Sequence, residues 1–208
     1  MTPGVIAGAA CAMKSRLFRF PAVMYINIAR NTPPLVLLFC VYFFAGNILP
    51  INSLEEWLRD APEIFRSFFT MLFAVPGQMD RMIAAVLALG LYEGAFIAEI
   101  IRGGMQSVGK GQWDAAYALG FSPFQTARLI IIPQTVRLIL PPLTGQMITT
   151  FKETALIALI SLPDLTFQSL EIMAITNMTF EIWVTTGIIY LFLGLLCSLF
   201  GHFAENKL

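Results

Sequence analysis

Long apolar stretches bounded by charged residues dominate the pattern of hydrophobic and polar positions along the chain. About 20 apolar residues in a helix are needed to cross the hydrocarbon core of a bilayer, which is roughly 30 Å thick. A helix of a soluble protein seldom stays apolar on every face over such a length. The pattern therefore predicts four full membrane spans, over residues 33–50, 82–103, 138–162 and 181–203.

The first thirteen residues form a shorter apolar stretch, and Lys14, Arg16 and Arg19 follow it. A secretory signal carries its positive charges before the apolar run, so the order here is the wrong one for such a signal. We interpret residues 1–13 as the inner end of a further span, which is the first of five in chain order, and we expect the start of that span to be missing. Residues 33–50, 82–103, 138–162 and 181–203 are then the second to fifth spans. The apolar stretch 67–79 is too short to cross, so we expect a re-entrant or surface-lying helix there.

Prolines predict the beginnings of two of the spans. Thr32 followed by Pro33 and Pro34 is typical of a helix cap and first turn, directly before the second span. The pair Pro141-Pro142 stands close to the start of the fourth span, and we expect it to mark the entrance to that helix.

Composition agrees with a membrane protein. The 208 residues are 57% hydrophobic and only 12% charged, whereas a soluble domain is roughly 25% charged. Thirteen basic and thirteen acidic residues give a net charge of zero, which argues against a nucleic-acid partner. Cys11, Cys40 and Cys197 lie far apart and show no metal-binding spacing, so no metal site is expected. The chain is predicted to be an all-α integral membrane protein with a single domain over residues 1–208.

The distribution of Lys and Arg predicts the orientation of the five spans, because cytoplasmic segments carry an excess of these residues. If the N-terminus lies outside and the C-terminus lies in the cytoplasm, the inner segments hold nine basic residues and the outer segments hold three. The inner residues are Lys14, Arg16, Arg19, Arg30, Arg102, Lys110, Arg128, Arg137 and Lys207, and the outer ones are Arg59, Arg66 and Arg81.

This orientation places residues 104–137 in the cytoplasm, between the third and fourth spans. The segment 111–120 reads as a short helix with a glycine stop at Gly120, and Ser122-Pro123 then starts a second helix that Pro133 is expected to interrupt. Trp113, Ala116, Tyr117 and Gly120 share one face of the short helix at i, i+3, i+4 and i+7. Two interpretations stay open from the residues alone. The helix either inserts into a groove of a partner protein or lies on lipid headgroups.

The same loop resembles a known motif. Asp114-Ala115-Ala116, Gly120, Ile130, Ile132 and Pro133 match the pattern E-A-A-x3-G-x9-I-x-L-P, with Asp for the first Glu and Ile132 for Leu. This pattern is the EAA loop of permease subunits of bacterial ABC importers. Further stretches are similar to the polar amino-acid uptake branch of these permeases: residues 30–35, 92–104 and 152–156.

The resemblance implies a type I ABC importer permease-like bundle of five transmembrane helices, of which the first is truncated. It also implies that the short helix docks into a cleft of a separate ATPase, which favours the groove interpretation. The coupling residues that it implies are Gln112, Trp113, Asp114, Ala115, Ala116, Gly120, Phe121, Ile130, Ile132 and Pro133. The implied partners are an ATPase dimer, a second permease (a copy of itself or a sister chain), an extracytoplasmic amino-acid-binding protein and membrane lipid.

A possible nucleotide motif lies at the start of the loop, where residues 104–110 fit G-x4-G-K. A phosphate-binding loop needs Ser or Thr at the next position and a preceding strand, whereas Gly111 and a membrane helix stand there. We therefore expect no cofactor on this chain, and we expect ATP and magnesium to bind the partner ATPase.

Charged residues inside the spans are costly and indicate a pathway or a buried pair. Glu99 and Arg102, at i and i+3, predict a structural ion pair near the inner end of the third span. Glu93, Lys152 and Glu153 lie near the middle of the third and fourth spans. Glu93 and Lys152 either neutralise each other or belong to a polar site for a zwitterionic amino acid.

These observations predict a permease subunit that moves a polar amino acid across the bacterial cytoplasmic membrane. A permease for another small polar solute and an ATP-independent channel or secondary carrier remain as alternatives. A membrane enzyme is disfavoured, because the chain has one histidine, no HExxH motif and no convincing Ser/His/Asp set.

Overall fold

The computed structural model describes residues 16–48, 60–64, 67 and 78–206, and we refer to these as the described residues. Helices account for most of them, and no strand occurs within these ranges. The first predicted span, residues 1–13, lies outside the described residues, and so does nearly all of the apolar stretch 67–79.

The structure gives the bounds of eight α-helices within the described residues. A π-helical turn, Ala127–Ile131, joins α5 directly to α6, and a 3₁₀ helix, Thr154–Ile160, continues α6. The α-helices are α1 (Arg16–Asn31), α2 (Pro34–Ile48), α3 (Met79–Ser107), α4 (Lys110–Ala118), α5 (Pro123–Thr126), α6 (Ile132–Glu153), α7 (Leu165–Thr176) and α8 (Thr179–Asn206).

Two helices among the described residues are long and apolar enough to cross a membrane by themselves, Met79–Ser107 and Thr179–Phe203. They contain the predicted spans 82–103 and 181–203. Two further pairs of consecutive helices reach the same length and hydropathy together, and each pair has a short break. One pair includes most of α2 and the other includes α6, so the described parts of the predicted spans 33–50 and 138–162 each overlap such a pair.

Helix α1 is an element that the sequence analysis missed. Residues 14–30 were predicted only as an inner connecting segment, but Arg16–Asn31 form a helix with Pro21 inside it. The helix ends near Thr32-Pro33-Pro34, where Pro34 opens α2 as the proline pattern predicts.

Helix α7 is the second missed element, because its segment was predicted as an outer loop. Asp164 caps it: the Asp164 Oδ1 atom accepts a hydrogen bond of 2.7 Å from the backbone N–H of Phe167. The helix ends at Asn177, which adopts the left-handed conformation that Asn tolerates at such positions.

Two expectations about prolines are wrong. Pro133 does not interrupt the helix, because the chain stays helical from Pro123 to Glu153 and the π turn lies directly before Ile132. Pro141 and Pro142 lie inside α6 rather than at its entrance. Backbone groups freed by proline in membrane helices are satisfied by local π or 3₁₀ adjustments and by side-chain hydroxyls. The π turn is such an adjustment.

The chain divides into two compact units. In the first, Ile26 and Ala98 are buried together, with Ala22, Val23 and Tyr25 packed against them. This small core attaches α1 to α3. The first unit comprises the described parts of Met1–Asn31, Glu93–Lys152 and Leu191–Leu208.

The second unit has its own core, in which α2, α3 and the 3₁₀ helix meet. Leu38, Ala85, Ala88 and Ile160 are buried there. Arg81 donates a hydrogen bond of 3.1 Å to the carbonyl of Ser161, the left-handed residue at the end of the 3₁₀ helix. The unit comprises the described parts of Thr32–Tyr92 and Glu153–Tyr190.

Candidate functional site

The short helix α4 ends at Gly120 in a fully bonded turn. The backbone N–H of Phe121 donates to the carbonyl of Ala116 at 3.1 Å, and the N–H of Gly120 donates to that of Tyr117 at 3.0 Å. This is the Schellman pattern, which requires the left-handed conformation that Gly120 adopts with φ +83°. The predicted glycine stop is therefore present, and it fixes the direction in which the chain leaves α4.

Ser122 restarts the chain as a helix two residues later. Its Oγ accepts a hydrogen bond from the backbone N–H of Gln125 at 3.3 Å, and Gln125 Oε1 accepts one from the N–H of Ser122 at 2.9 Å. This reciprocal capping box, with Pro123 in the first turn, satisfies two donors that the helix start would leave unpaired. Both ends of the loop between α4 and α5 are therefore capped, which restricts the conformations open to it.

Helix α4 packs against α5 and the π turn, and each of these three elements contains a fully buried residue. Ala116, Thr126 and Ile131 are all at most 1% exposed. The Thr126 hydroxyl donates to the carbonyl of Ser122 at 3.0 Å, so this buried polar group is satisfied. Sequence reasoning missed Thr126 and Ile131, since the matched pattern selects Ile130 and Ile132 instead.

The predicted coupling residues differ in burial. Ala116 is buried, and Trp113 is half-buried with its ring 6.3 Å from that of Tyr117. Gln112, Asp114, Ala115, Gly120, Ile132 and Pro133 are exposed, while Phe121 and Ile130 are half-buried.

Large apolar side chains are exposed around the same turn. Tyr117, Leu119 and Phe124 are 42%, 77% and 71% exposed. They belong to the end of α4, the turn and the start of α5. Together with Asp114 and Ala115, they form what we call the loop surface.

An ion-pair network lies two turns before the loop on α3. Arg102 donates to Glu99 through Nε at 2.8 Å, and its Nη1 donates to Gln106 at 2.9 Å. Arg30, near the end of α1, places its Nη1 atom 3.6 Å from the Glu99 carboxylate and its guanidinium 5.4 Å from the centre of the Phe96 ring. The structure thus brings the predicted pair Glu99 and Arg102 together and adds Arg30 to it.

Glu93 occupies the midpoint of α3 and is 5% exposed. Its Oε2 atom accepts hydrogen bonds from Gln146 Nε2 at 2.7 Å and from Thr150 Oγ1 at 2.6 Å. Among the described residues, its Oε1 atom has no hydrogen-bond partner and is fully buried.

The proposed Glu93–Lys152 pair is not formed. Lys152 is exposed, and the ion pairs found within the described ranges do not include it. Helix α6 ends at Glu153, where the 3₁₀ helix begins, so the charged pair Lys152-Glu153 marks a change of helix type rather than the middle of a uniform span.

Sequence reasoning missed Gln146 and Thr150 as partners of Glu93. Their spacing of i and i+4 on one span was the available signal, because it places both side chains on one face. Thr and Gln are common enough in membrane helices that this spacing alone does not single them out.

The first four residues of the possible nucleotide motif, 104–110, are helical and do not form a loop. Residues 104–107 continue α3, which ends at Ser107, and α4 begins at Lys110. A phosphate-binding loop requires consecutive backbone N–H groups turned toward the phosphates, whereas helical N–H groups are bonded within the helix.

The helices that can cross a membrane, the polar cluster at the middle of one of them and the rigid loop helix define an integral membrane transport subunit. Comparison with known proteins gives the family. The model of the family "Binding-protein-dependent transport system inner membrane component" matches residues 4–208. The chain belongs to this family, and it is therefore a permease subunit of an ABC importer and not an enzyme.

Two relatives agree with this assignment. The probable amino-acid ABC transporter permease protein YckA of Bacillus subtilis (strain 168) is 32% identical over 205 residues, which cover 98% of this chain and 78% of that protein. The glutamine transport system permease protein GlnP of Escherichia coli (strain K12) is 31% identical over 205 residues, which cover 99% of this chain and 82% of that protein.

Solved structures share the fold. A crystal structure of an amino acid ABC transporter with histidines matches with a TM-score of 0.77 and 28% identity, over 100% of this chain and 84% of that chain. The MetNI methionine ABC transporter in an inward-facing conformation matches with a TM-score of 0.69 and 17% identity, over 98% of this chain and 85% of that chain, which shows the fold alone. The predictions of an all-α type I permease fold and of an ABC permease of the amino-acid uptake branch are confirmed.

Proposed function

We propose that this permease carries a polar amino acid from the outside of the bacterial cytoplasmic membrane to the cytoplasm. Members of the family work with an ATPase and a binding protein. The relatives named for amino-acid and glutamine transport support the substrate class. Glu93, Lys152 and Glu153 belong to the pathway, because charges in a membrane span occur where they face the protein interior or a cavity.

The observation that carries the coupling role is the rigid, exposed helix α4. Its end is fixed by the Schellman turn at Gly120 and by the capping box at Ser122, and its loop surface exposes Tyr117, Leu119 and Phe124. A pre-organised helix with exposed apolar side chains at its end and in the turn that follows suits insertion into a groove, since little ordering entropy is lost on binding. The groove belongs to the ATPase, which binds ATP and magnesium. The predicted residues Gln112 to Ala116, Gly120, Phe121, Ile130, Ile132 and Pro133 form this contact or support it.

The assembly would contain two permeases, either two copies of this chain or one copy and a sister chain, above an ATPase dimer. The excess of Lys and Arg on one side of the spans supports an outer N-terminus and a cytoplasmic C-terminus. This orientation brings α4 to the side on which ATP is available. Fusions of green fluorescent protein and of alkaline phosphatase to the C-terminus test it: only the fluorescent fusion should be active.

Reconstitution tests the function. The permease, its ATPase and its binding protein are placed in liposomes, and uptake of a panel of radiolabelled amino acids and sugars is measured with and without internal ATP. We expect ATP-dependent uptake of one or several polar amino acids. Uptake without ATP or without the ATPase would support a channel or carrier, and uptake of sugars alone would support another solute class.

A further inference from the structure

The strongest unexplained feature of the molecule is the carboxylate of Glu93. It lies at the midpoint of a 29-residue membrane-spanning helix and is 5% exposed. Burying an ionisable group at this depth is costly, and proteins retain such groups where they serve a function. The structure also shows how this group is held.

Two side chains orient the carboxylate from α6. Gln146 Nε2 donates to Glu93 Oε2 at 2.7 Å, and Thr150 Oγ1 donates to the same atom at 2.6 Å. The Thr150 hydroxyl has one proton, which can also reach the backbone carbonyl of Gln146 at 2.9 Å, but the contact with Glu93 is the shorter one. Both donors converge on one oxygen, so they fix the carboxylate and leave the other oxygen unused.

The second oxygen, Oε1, is buried and has no hydrogen-bond partner within the described part of the chain. The nearest basic residues along the two helices do not neutralise it. Arg102 is bonded to Glu99 and Gln106, and Lys152 is exposed and forms no ion pair with Glu93. A buried charge without a partner is costly, so the arrangement favours a cationic donor that comes from outside the chain.

We propose that Glu93 binds the α-ammonium group of the transported amino acid, and that Gln146 and Thr150 are positioning residues for its carboxylate. This inference rests on the proposed function, since it assumes an amino-acid substrate. An ammonium group needs only one acceptor from Glu93, and Oε1 supplies it. A metal ion fits less well, because hard cations take about six oxygen ligands and the N–H and O–H donors at Oε2 would repel a cation there.

The two partners of the carboxylate extend the cluster toward the accessible surface of the chain. Gln146 and Thr150 are half-exposed, so the cluster lies at the edge of the accessible surface of the chain. The α-ammonium is common to all amino acids, and the contact therefore selects for the class and leaves the choice among amino acids to other residues.

Direct binding to the purified permease–ATPase complex tests the proposal. The probes are radiolabelled L-glutamine, L-arginine and L-glutamate, which differ in side-chain charge and share the α-ammonium. Glu93→Gln keeps the shape of the side chain and removes its charge. We expect it to weaken binding of every probe that the unmodified complex binds, by roughly tenfold or more, which corresponds to the loss of a hydrogen bond to a charged group.

Thr150→Val removes one positioning hydroxyl and leaves Glu93 in place. We expect a smaller loss of affinity than in Glu93→Gln, about three- to tenfold for the same probes, because the carboxylate keeps its charge and its bond from Gln146 and loses one of the two bonds that orient it. Thr149→Val is the matched control: Thr149 is exposed, and its hydroxyl bonds to the carbonyl of Gly145 on the same helix. This variant should bind as the unmodified complex does.

Two results would overturn the inference. One is unchanged affinity in Glu93→Gln together with unchanged affinity in Thr150→Val. The other is a loss confined to L-arginine, which would assign Glu93 to a cationic side chain. If Glu93→Gln fails to assemble with the ATPase, the affinities of Thr150→Val and Thr149→Val for the probes are compared instead. Equal affinities of these two variants would then overturn the inference. Failure of the unmodified complex to transport any amino acid would instead contradict the proposed function.

Discussion

The guanidinium of Arg30 lies 3.6 Å from the carboxylate of Glu99, and this contact joins the end of α1 to the C-terminal half of α3. Glu99 is bonded to Arg102 at the same time, so a single carboxylate serves two cations. The side chains of Arg30 and Glu99 are 39% and 28% exposed, which means that water screens the pair in part.

This arrangement predicts unequal effects of removing each charge. Arg30→Gln should lower the free energy of unfolding by less than about 1 kcal/mol, as for other exposed ion pairs. Glu99→Gln should cost more, about 1–2 kcal/mol, because it also removes the hydrogen bonds to Arg102 and leaves two cations close together. Thermal unfolding in detergent measures both. Equal effects of the two variants would contradict the shared-carboxylate description.

Gly120 is predicted to determine coupling. Gly120→Val forces a β-branched residue into a left-handed conformation, which costs about 1–2 kcal/mol and changes the direction in which the chain leaves α4. We expect membrane insertion and ATP hydrolysis to persist while transport per ATP hydrolysed falls several-fold. The measurement is uptake and phosphate release in the same liposomes.

Gly111→Ala is the control for that experiment. Gly111 lies within α4, has no neighbouring atom within 4 Å of an added Cβ, and needs no unusual backbone conformation. Alanine there should leave transport unchanged and stabilise the helix slightly. Normal coupling in Gly120→Val would show that the turn does not set the position of α4.

Gly104 and Gly103 are neighbours with opposite surroundings. A Cβ on Gly104 would overlap Ile139 Cγ2 on α6, whereas a Cβ on Gly103 meets nothing within 4 Å. Gly104→Ala should therefore lower stability by about 1–3 kcal/mol, the usual cost of overpacking, and Gly103→Ala should not lower it. Ile139→Leu, which removes the branching methyl group, should partly rescue Gly104→Ala in a thermal unfolding assay. Equal stability of the two alanine variants would contradict the close approach of α3 and α6.

Ser169 and Thr186 form a buried hydroxyl pair, 2.6 Å apart, between α7 and α8. Thr186→Val keeps the shape and removes the bond, and Ser169 retains its 2.7 Å bond to the carbonyl of Leu165. The loss of stability should be about 0.6 kcal/mol, the average for such bonds between membrane helices. Thr185→Val, whose hydroxyl is exposed and bonded to Glu181, is the control. A loss above about 2 kcal/mol would indicate that Ser169 is left unsatisfied.

Local signals in the sequence were sufficient to predict helix α4 and the turn that follows it. Gly120, Ser122 and Pro123 act through their own backbone and through residues at most a few positions away, so their effect does not depend on the rest of the fold. The long apolar helices were equally clear, because hydropathy over a whole span is a strong signal.

The missed elements depend on context that the pattern does not contain. Helix α1 carries Arg16, Arg19 and Pro21, which resemble a charged connecting segment, yet α1 is helical and packs Ile26 against Ala98 of α3. The sequence predicts that Pro133 interrupts a helix and that Pro141-Pro142 stands at the entrance to one. Both predictions fail because proline can stay inside a helix where local adjustments or side-chain hydroxyls satisfy the freed carbonyls.

The partners of Glu93 could not be found from the sequence either. Gln146 and Thr150 are more than fifty positions away from it, and only the packing of α3 against α6 brings them within hydrogen-bond distance. The alternative of a pair with Lys152 relied on similar depth in the membrane, which does not specify the direction of a side chain.

The π turn Ala127–Ile131 gives the loop an influence over residues far from it. Its hydrogen bonds span five residues instead of four, so the turn contains one extra residue. In a helix with roughly 3.6 residues per turn, one residue rotates all the side chains that follow by about 100° around the helix axis. Gln146 and Thr150 face Glu93 only in that rotational phase. Removal of a single codon from this segment would turn both donors away from the carboxylate without altering any residue that contacts it.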